Sequence, residues 1–163
     1  MELWDLYTFD RQPTGQLHHR GDPIPEGLCH IVVHVWLRNR DGKYLISQRS
    51  EDRQEYPLQW ECVAGSVLSG EGSLSAAVRE VYEEVGITLD PQKGRLLSAT
   101  KRPGYPAIRD VWLFECDEMH RFDLATTKEV AQATWMTKEE VRKLMDNGAM
   151  APMYTYFFQT PEL

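Results

Sequence analysis

The sequence predicts an α/β fold, an α/β/α sandwich around a mixed β-sheet with an N-terminal β-hairpin. Three observations predict it. Residues 29–37 (Cys-His-Ile-Val-Val-His-Val-Trp-Leu) are a β-branched run, the pattern of a strand covered on both faces. Residues 65–87 form a glycine-bounded unit of loop, helical apolar stripe and loop. Residues 137–148 open on a capping box, Thr137-Lys-Glu-Glu140, and end on Asn147-Gly148, so a second helix closes the order.

Taken along the chain, residues 2–9 are aromatic-rich and strand-like. Residues 10–15, with Pro13 and Gly15, are expected to turn the hairpin, and residues 16–20 to return it. Residues 21–27 carry two prolines and connect, placed to act as a flap over a site. Asn39-Arg40-Asp41-Gly42 turns the first long strand, and residues 44–48 return as its partner. A charged loop, 50–59, leads to a short strand at 60–64. Leu74, Ala77, Val78, Val81 and Val85 then make the apolar stripe of the first helix. Gly72-Ser73 offers its N-cap, and Gly86 reads as the glycine that stops it. Residues 95–101 and 108–116 read as strands around the rigid Pro103-Gly104-Tyr105-Pro106 loop. In the second of these, Val111 and Leu113 share one face, with Trp112 and Phe114 on the other. A polar loop at 117–127 precedes the last strand, 129–136; Val141, Leu144 and Met145 are the buried face of the final helix, and the aromatic tail 153–158 packs back on the core.

The 163 residues read as one domain, 1–163, with 1–27 as hairpin and connector. Hydrophobic content of 42% and charged content of 26% are ordinary for a globular chain. A net charge of −7 without clustered Lys and Arg argues against a broad nucleic-acid surface, though not against a small anionic substrate. Cys29, Cys62 and Cys116 form no CxxC pair and are odd in number, so reduced thiols and a cytoplasmic setting are expected. With no apolar run of spanning length and no basic-then-apolar leader, no membrane association is expected. The expected assembly is a monomer or homodimer.

The chemistry is concentrated in the first helix. Glu80, Glu83 and Glu84 stand at i, i+3 and i+4 and share an arc of about 100°, projecting from the shoulder beside the stripe. Carboxylates that close repel one another unless a cation neutralises them. An all-oxygen, anionic cluster suits Mg²⁺ or Mn²⁺.

The spacing is Gly65, five residues, Glu71, seven residues, Arg79-Glu80-Val81, one residue, Glu83-Glu84, one residue, Gly86-Ile87. This resembles the Nudix box of the Nudix hydrolases, with every defined position occupied. An ordinary solvated acidic helix needs neither the glycines nor the arginine at these positions. The resemblance implies the sandwich fold, a divalent metal, and hydrolysis of a nucleoside diphosphate linked to another moiety. It further implies that Glu80, Glu83, Glu84 and the Gly65 carbonyl hold the metal, with Arg79 and Glu71 in support. Glu129 and Asp110 are candidates for a fourth carboxylate, and Arg49 for a phosphate contact. Lys101 and Arg102 are weaker phosphate candidates; Trp36, Trp112 and Tyr105 are candidates to stack on a base.

The N-terminal region is also similar to the isopentenyl-diphosphate isomerase branch of the same fold. That chemistry requires a cysteine before the box glycine, a histidine after it and paired glutamates on a later strand. Here those places hold Ala64, Ser66 and Ile108-Arg109-Asp110; His30 alone matches a ligand histidine, and Cys62 lies two residues off. An isomerase-like enzyme and a non-catalytic nucleotide-binding module are therefore the alternatives to the hydrolase.

Overall fold

A computed structural model describes residues 2–116 and 128–163. Strands β1 (Leu3–Thr8) and β2 (Pro13–His19) form an antiparallel hairpin. It joins the start of β3 (Leu28–Arg38) through Tyr7↔Cys29 and Thr8↔Leu28. β3 is the axis of the molecule. On one side it runs parallel to β8 (Ala107–Glu115), from His30↔Ala107 to Arg38↔Glu115. On the other it pairs antiparallel with β6 (Val63–Ser66), and β7 (Gly94–Lys101) extends the mixed sheet beyond β8. β4 (Tyr44–Arg49) leaves β3 after one pair, Arg38↔Tyr44, and runs between β5 (Trp60–Glu61) and β9 (Val130–Met136).

Alternation along β3 creates the layers. Ile31, Val33, Val35 and Leu37 join Ala77, Val81 and Val85 of helix α1 (Ser73–Val85) in one core. Trp36 faces the opposite way, with Tyr44, Tyr154, Phe157 and Val141 of helix α2 (Lys138–Asp146). Each buried aliphatic or aromatic side chain contributes about 1.5–3 kcal/mol, so packing rather than helix propensity holds two helices of this length. Gly86 stops α1 at φ 72°, its N–H donating to the Tyr82 carbonyl. The capping box of α2 is formed in both directions: Thr137 Oγ1 accepts from the Glu140 N–H, and the Glu140 carboxylate from the Thr137 N–H. The tail coils as a 3₁₀ segment, Pro152–Gln159, burying Tyr154 and Phe157.

Several local expectations are revised. The hairpin turns earlier, with Arg11 at φ 62° and Thr8 N–H donating to the Gln12 carbonyl at 2.9 Å. Gly15 (φ 74°) instead sits inside β2, where the register to β1 slips between Asp5 and Tyr7 as at a bulge. The strand expected at 60–64 breaks at Cys62, so β5 follows β4 and β6 follows β3. Gly72 caps α1 without a side chain, and the Ser73 hydroxyl accepts from Trp112 Nε1 at 2.9 Å. The polar loop 117–127 lies outside the described residues. All three cysteines are free and buried, and no described helix is long and apolar enough to cross a membrane.

Candidate active site

β6 passes so close to α1 that a Cβ at Gly65 would collide with the Glu80 carboxylate. Glycine is what allows strand and helix to share that space. Arg79 organises the surrounding acids. Its Nε and Nη2 each bind the Glu71 carboxylate at 2.9 Å, and Nη1 donates to Glu80 at 2.8 Å and to Glu83 at 2.9 Å. Nη2 also reaches the Ser66 carbonyl at 3.0 Å, while Glu71 accepts the Leu68 N–H. The guanidinium therefore clasps loop, strand and helix together, and holds the Glu71 carboxyl below the usual range against the opposing effect of burial.

The helix carboxylates do not all project outward as expected. Glu83 does, with 55% of its side chain exposed. Glu84 is buried, and its Oε2 meets no hydrogen-bond partner. Burial, with the charges of Glu61, Glu80 and Glu129 added, raises its proton affinity well above the ordinary range. Burial outweighs Arg79 at Glu80 too, where the pKa is pushed up to about 7. Glu61 was absent from the sequence candidates, yet it is buried on β5 with Arg49 Nη1 donating to both oxygens at 2.8–2.9 Å and the Tyr154 hydroxyl at 3.1 Å. Glu129 pairs with Arg53 at 2.7 Å. A cavity of about 440 Å³ is lined by Gly65, Glu80, Glu83, Glu84, Glu129 and Arg79.

Among the described residues no three acidic, histidine or cysteine side chains converge as a closed cage, because Arg79 draws Glu80 and Glu83 to itself and Glu84 turns inward. The donor set nonetheless fits a hard divalent cation: its donors are carboxyl oxygens, they share one cavity, and a buried Glu84 oxygen lacks any hydrogen-bond partner.

A sequence model of the NUDIX domain matches residues 29–157. An uncharacterized Nudix hydrolase of Listeria monocytogenes is 40% identical over 161 residues, covering 97% of this chain and 91% of the relative. The chain belongs to the Nudix hydrolase family. The crystal structure of DR0079 from Deinococcus radiodurans superposes with a TM-score of 0.74 over 92% of both chains at 25% identity. A Caenorhabditis elegans Ap4A hydrolase shares the fold, with a TM-score of 0.57, 21% identity and coverage of 78% of this chain and 96% of that one. The protein is thus an enzyme, a Nudix-type hydrolase.

The remaining candidates separate around the Nudix box. Beside the acidic cavity, across Ala64, Gly65 and Ser66, lies a second of about 500 Å³. Arg49 lines it, but its guanidinium is committed to Glu61 and the Glu55 carbonyl, which makes it a support for Glu61 rather than a free phosphate ligand. Arg20, Arg53 and Arg102 also line it, as do Tyr105, Trp4 and His30. Asp110 does not reach either cavity: it is fully buried and paired with Arg11 of the hairpin at 2.6–2.7 Å. Its role is to fasten the hairpin to β8. Trp36 is core, Trp112 is bound to Ser73, and only Tyr105 of the three aromatics lines a cavity. Cys62 is buried in the core shared with Trp36, with its thiol pushed well up by burial. Neither cavity includes it, which removes the acid–base group an isomerase would need.

Proposed function

We propose that this Nudix hydrolase cleaves, with water and Mg²⁺ or Mn²⁺, the diphosphate of a nucleoside diphosphate linked to another moiety. The observation that carries this reading is the buried, unsatisfied Glu84 carboxylate, grouped with Glu80 and Glu129 at a cavity that opens beside an arginine-lined cleft. Glu80, Glu83, Glu84 and the Gly65 carbonyl would hold the cation. Bound there, a divalent ion neutralises charge on the diphosphate and makes a water more acidic.

The chain's own residues do the rest. Arg79 and Glu71 fix the orientation of the Glu80 carboxylate, and Arg49 with Tyr154 fixes Glu61. Of the cluster, a carboxylate that the cation does not engage would take the proton of the attacking water. Arg20 offers charge to phosphate oxygens in the adjoining cleft. A human 8-oxo-dGDP phosphatase, 31% identical over 112 residues that make up 31% of its length, gives support to a nucleoside diphosphate substrate.

A screen of nucleoside diphosphates, triphosphates and dinucleotides, read by phosphate or nucleotide release, tests this. Turnover is expected only with Mg²⁺ or Mn²⁺, rising toward alkaline pH as the water made more acidic by the cation ionises. Undiminished turnover in excess chelator would overturn the reading. Conversion of isopentenyl diphosphate by a protein inert toward every nucleotide would favour the isomerase instead.

A further inference from the structure

The cleft continues away from the acidic cavity. Arg102 and Tyr105 line both the 500 Å³ cavity and a third of about 730 Å³, whose far wall carries Arg109 and Tyr156. These arginines differ from the others around them. Arg20, Arg49 and Arg53, which line the 500 Å³ cavity with Arg102, each meet a carboxylate. Arg102 and Arg109 meet none among the described residues, in a chain of net charge −7. Each instead lies over a tyrosine ring, Arg102 at 4.4 Å from the centroid of Tyr105 and Arg109 at 4.0 Å from that of Tyr156. A ring face orients a guanidinium but leaves its N–H groups unfilled. Arg109 Nε is buried with no acceptor, and its Nη2 reaches only Thr100 Oγ1 at 3.4 Å.

The supports are rigid. Tyr156 is fixed by its hydroxyl, which bonds Trp36 Nε1 at 3.0 Å and His34 Nδ1 at 2.9 Å, and Arg109 rises from β8 opposite Val32. Between this end and Gly65 the cleft offers further unfilled groups. Trp4 Nε1 and both ring nitrogens of His30 are buried without partners, the two rings stacked 4.0 Å apart. Unfilled polar groups along one cleft mark where a ligand completes the hydrogen bonding.

We propose that the substrate carries a second phosphate, a monoester separate from its diphosphate, and that Arg102 and Arg109 hold it at the end of the cleft away from Glu80 and Glu84. Two guanidinium charges match a phosphate dianion better than a single carboxylate. The inference rests on the reading of the acidic cavity as the end where the diphosphate is cleaved.

Matched probes test it: NAD against NADP, and dephospho-coenzyme A against coenzyme A, each pair differing by one phosphate monoester on the adenosine ribose, separate from the diphosphate. Binding is measured by calorimetry in chelator, so that no cleavage is needed. In at least one pair the phosphorylated member should bind about ten-fold tighter, as expected for charge-assisted contacts. The preference should vanish in R102Q/R109Q, or in R102Q alone if the double variant fails to fold. Probes that bind no tighter with the extra phosphate, including probes that do not bind at all, overturn the inference, as does a preference that survives the variants. Its failure alongside metal-dependent hydrolysis in the screen leaves the hydrolase reading standing. A preference that the variants abolish, found without hydrolysis in the screen, removes the hydrolase reading and leaves the phosphate contact.

Discussion

Glu84 shows how one helix position can belong to two patterns. It completes the acidic triplet with Glu80 and Glu83, but it also lies seven residues after Ala77, within about 20° of it around the helix. Ala77 and Val81 are fully buried, and Glu84 is carried inward with them. Counted from the stripe as well as from the triplet, its burial was legible in the sequence. Glu61 was less so, since a two-residue strand has too few positions to show alternation; the one signal was a charge inside an otherwise apolar run. Gly65 gives the sharpest test at this scale. Because an added Cβ would strike the far end of the flexible Glu80 side chain rather than backbone, G65A should fold and melt near the parent protein. Its turnover should fall at least about ten-fold, because the displaced carboxylate can no longer meet both Arg79 and the cavity. Parental turnover would show that the close approach has no functional role.

At the scale of elements, α1 and its flanking loops were the most legible part, because spacing, apolar stripe and stop glycine all agreed. The N-terminal hairpin was legible as strands but not as part of a site, since nothing in residues 2–20 shows that Trp4 stacks on His30, twenty-six positions later. Asp110 was misread for the same reason: a buried acid on a strand looks like a site residue until its partner is seen. Arg11 pairs with it across 99 residues. Removing Arg11 would strand a carboxylate with no exposure. R11A should therefore lower stability by about 2–3 kcal/mol, less than for a fully buried pair because Arg11 is itself 38% exposed. Denaturant midpoints for R11A and D110N measure this; an R11A midpoint equal to the parent's would show that the pair does not fasten the hairpin.

For the whole molecule, the site stores its cost in the metal-free state. Glu80, Glu84 and Glu61 all hold their protons to higher pH folded than unfolded, chiefly through burial. Between the ordinary and the raised values the unfolded chain binds fewer protons than the folded one, so stability falls as pH rises through that window. For Glu80 the window runs from 4.5 to about 7. Glu71 works in the opposite sense, but below 4.5. Burial lowers the proton affinity of His30 and His34, which opposes this fall up to about 6.5; above that, in chelator, the melting temperature should decline toward pH 8, and Mg²⁺ should recover it. A chelated protein that grows more stable across that range would contradict the burial argument. The layered architecture was readable from alternation in β3 and the two helical stripes. The division of the cleft among Trp4, Arg53, Arg102 and Arg109 was not, because these residues meet only once β1, the 50–59 loop and β8 are in place.

The central claim is that the buried carboxylates of the box hold the cation that hydrolysis requires. It is tested most directly by Mg²⁺ titrations of turnover for the wild type and E84Q on the best substrate from the screen. The amide nearly preserves shape and removes the charge, so E84Q should fold, need far more Mg²⁺, and lose at least about 100-fold in turnover at saturation. Wild-type turnover and Mg²⁺ dependence in E84Q would contradict the account.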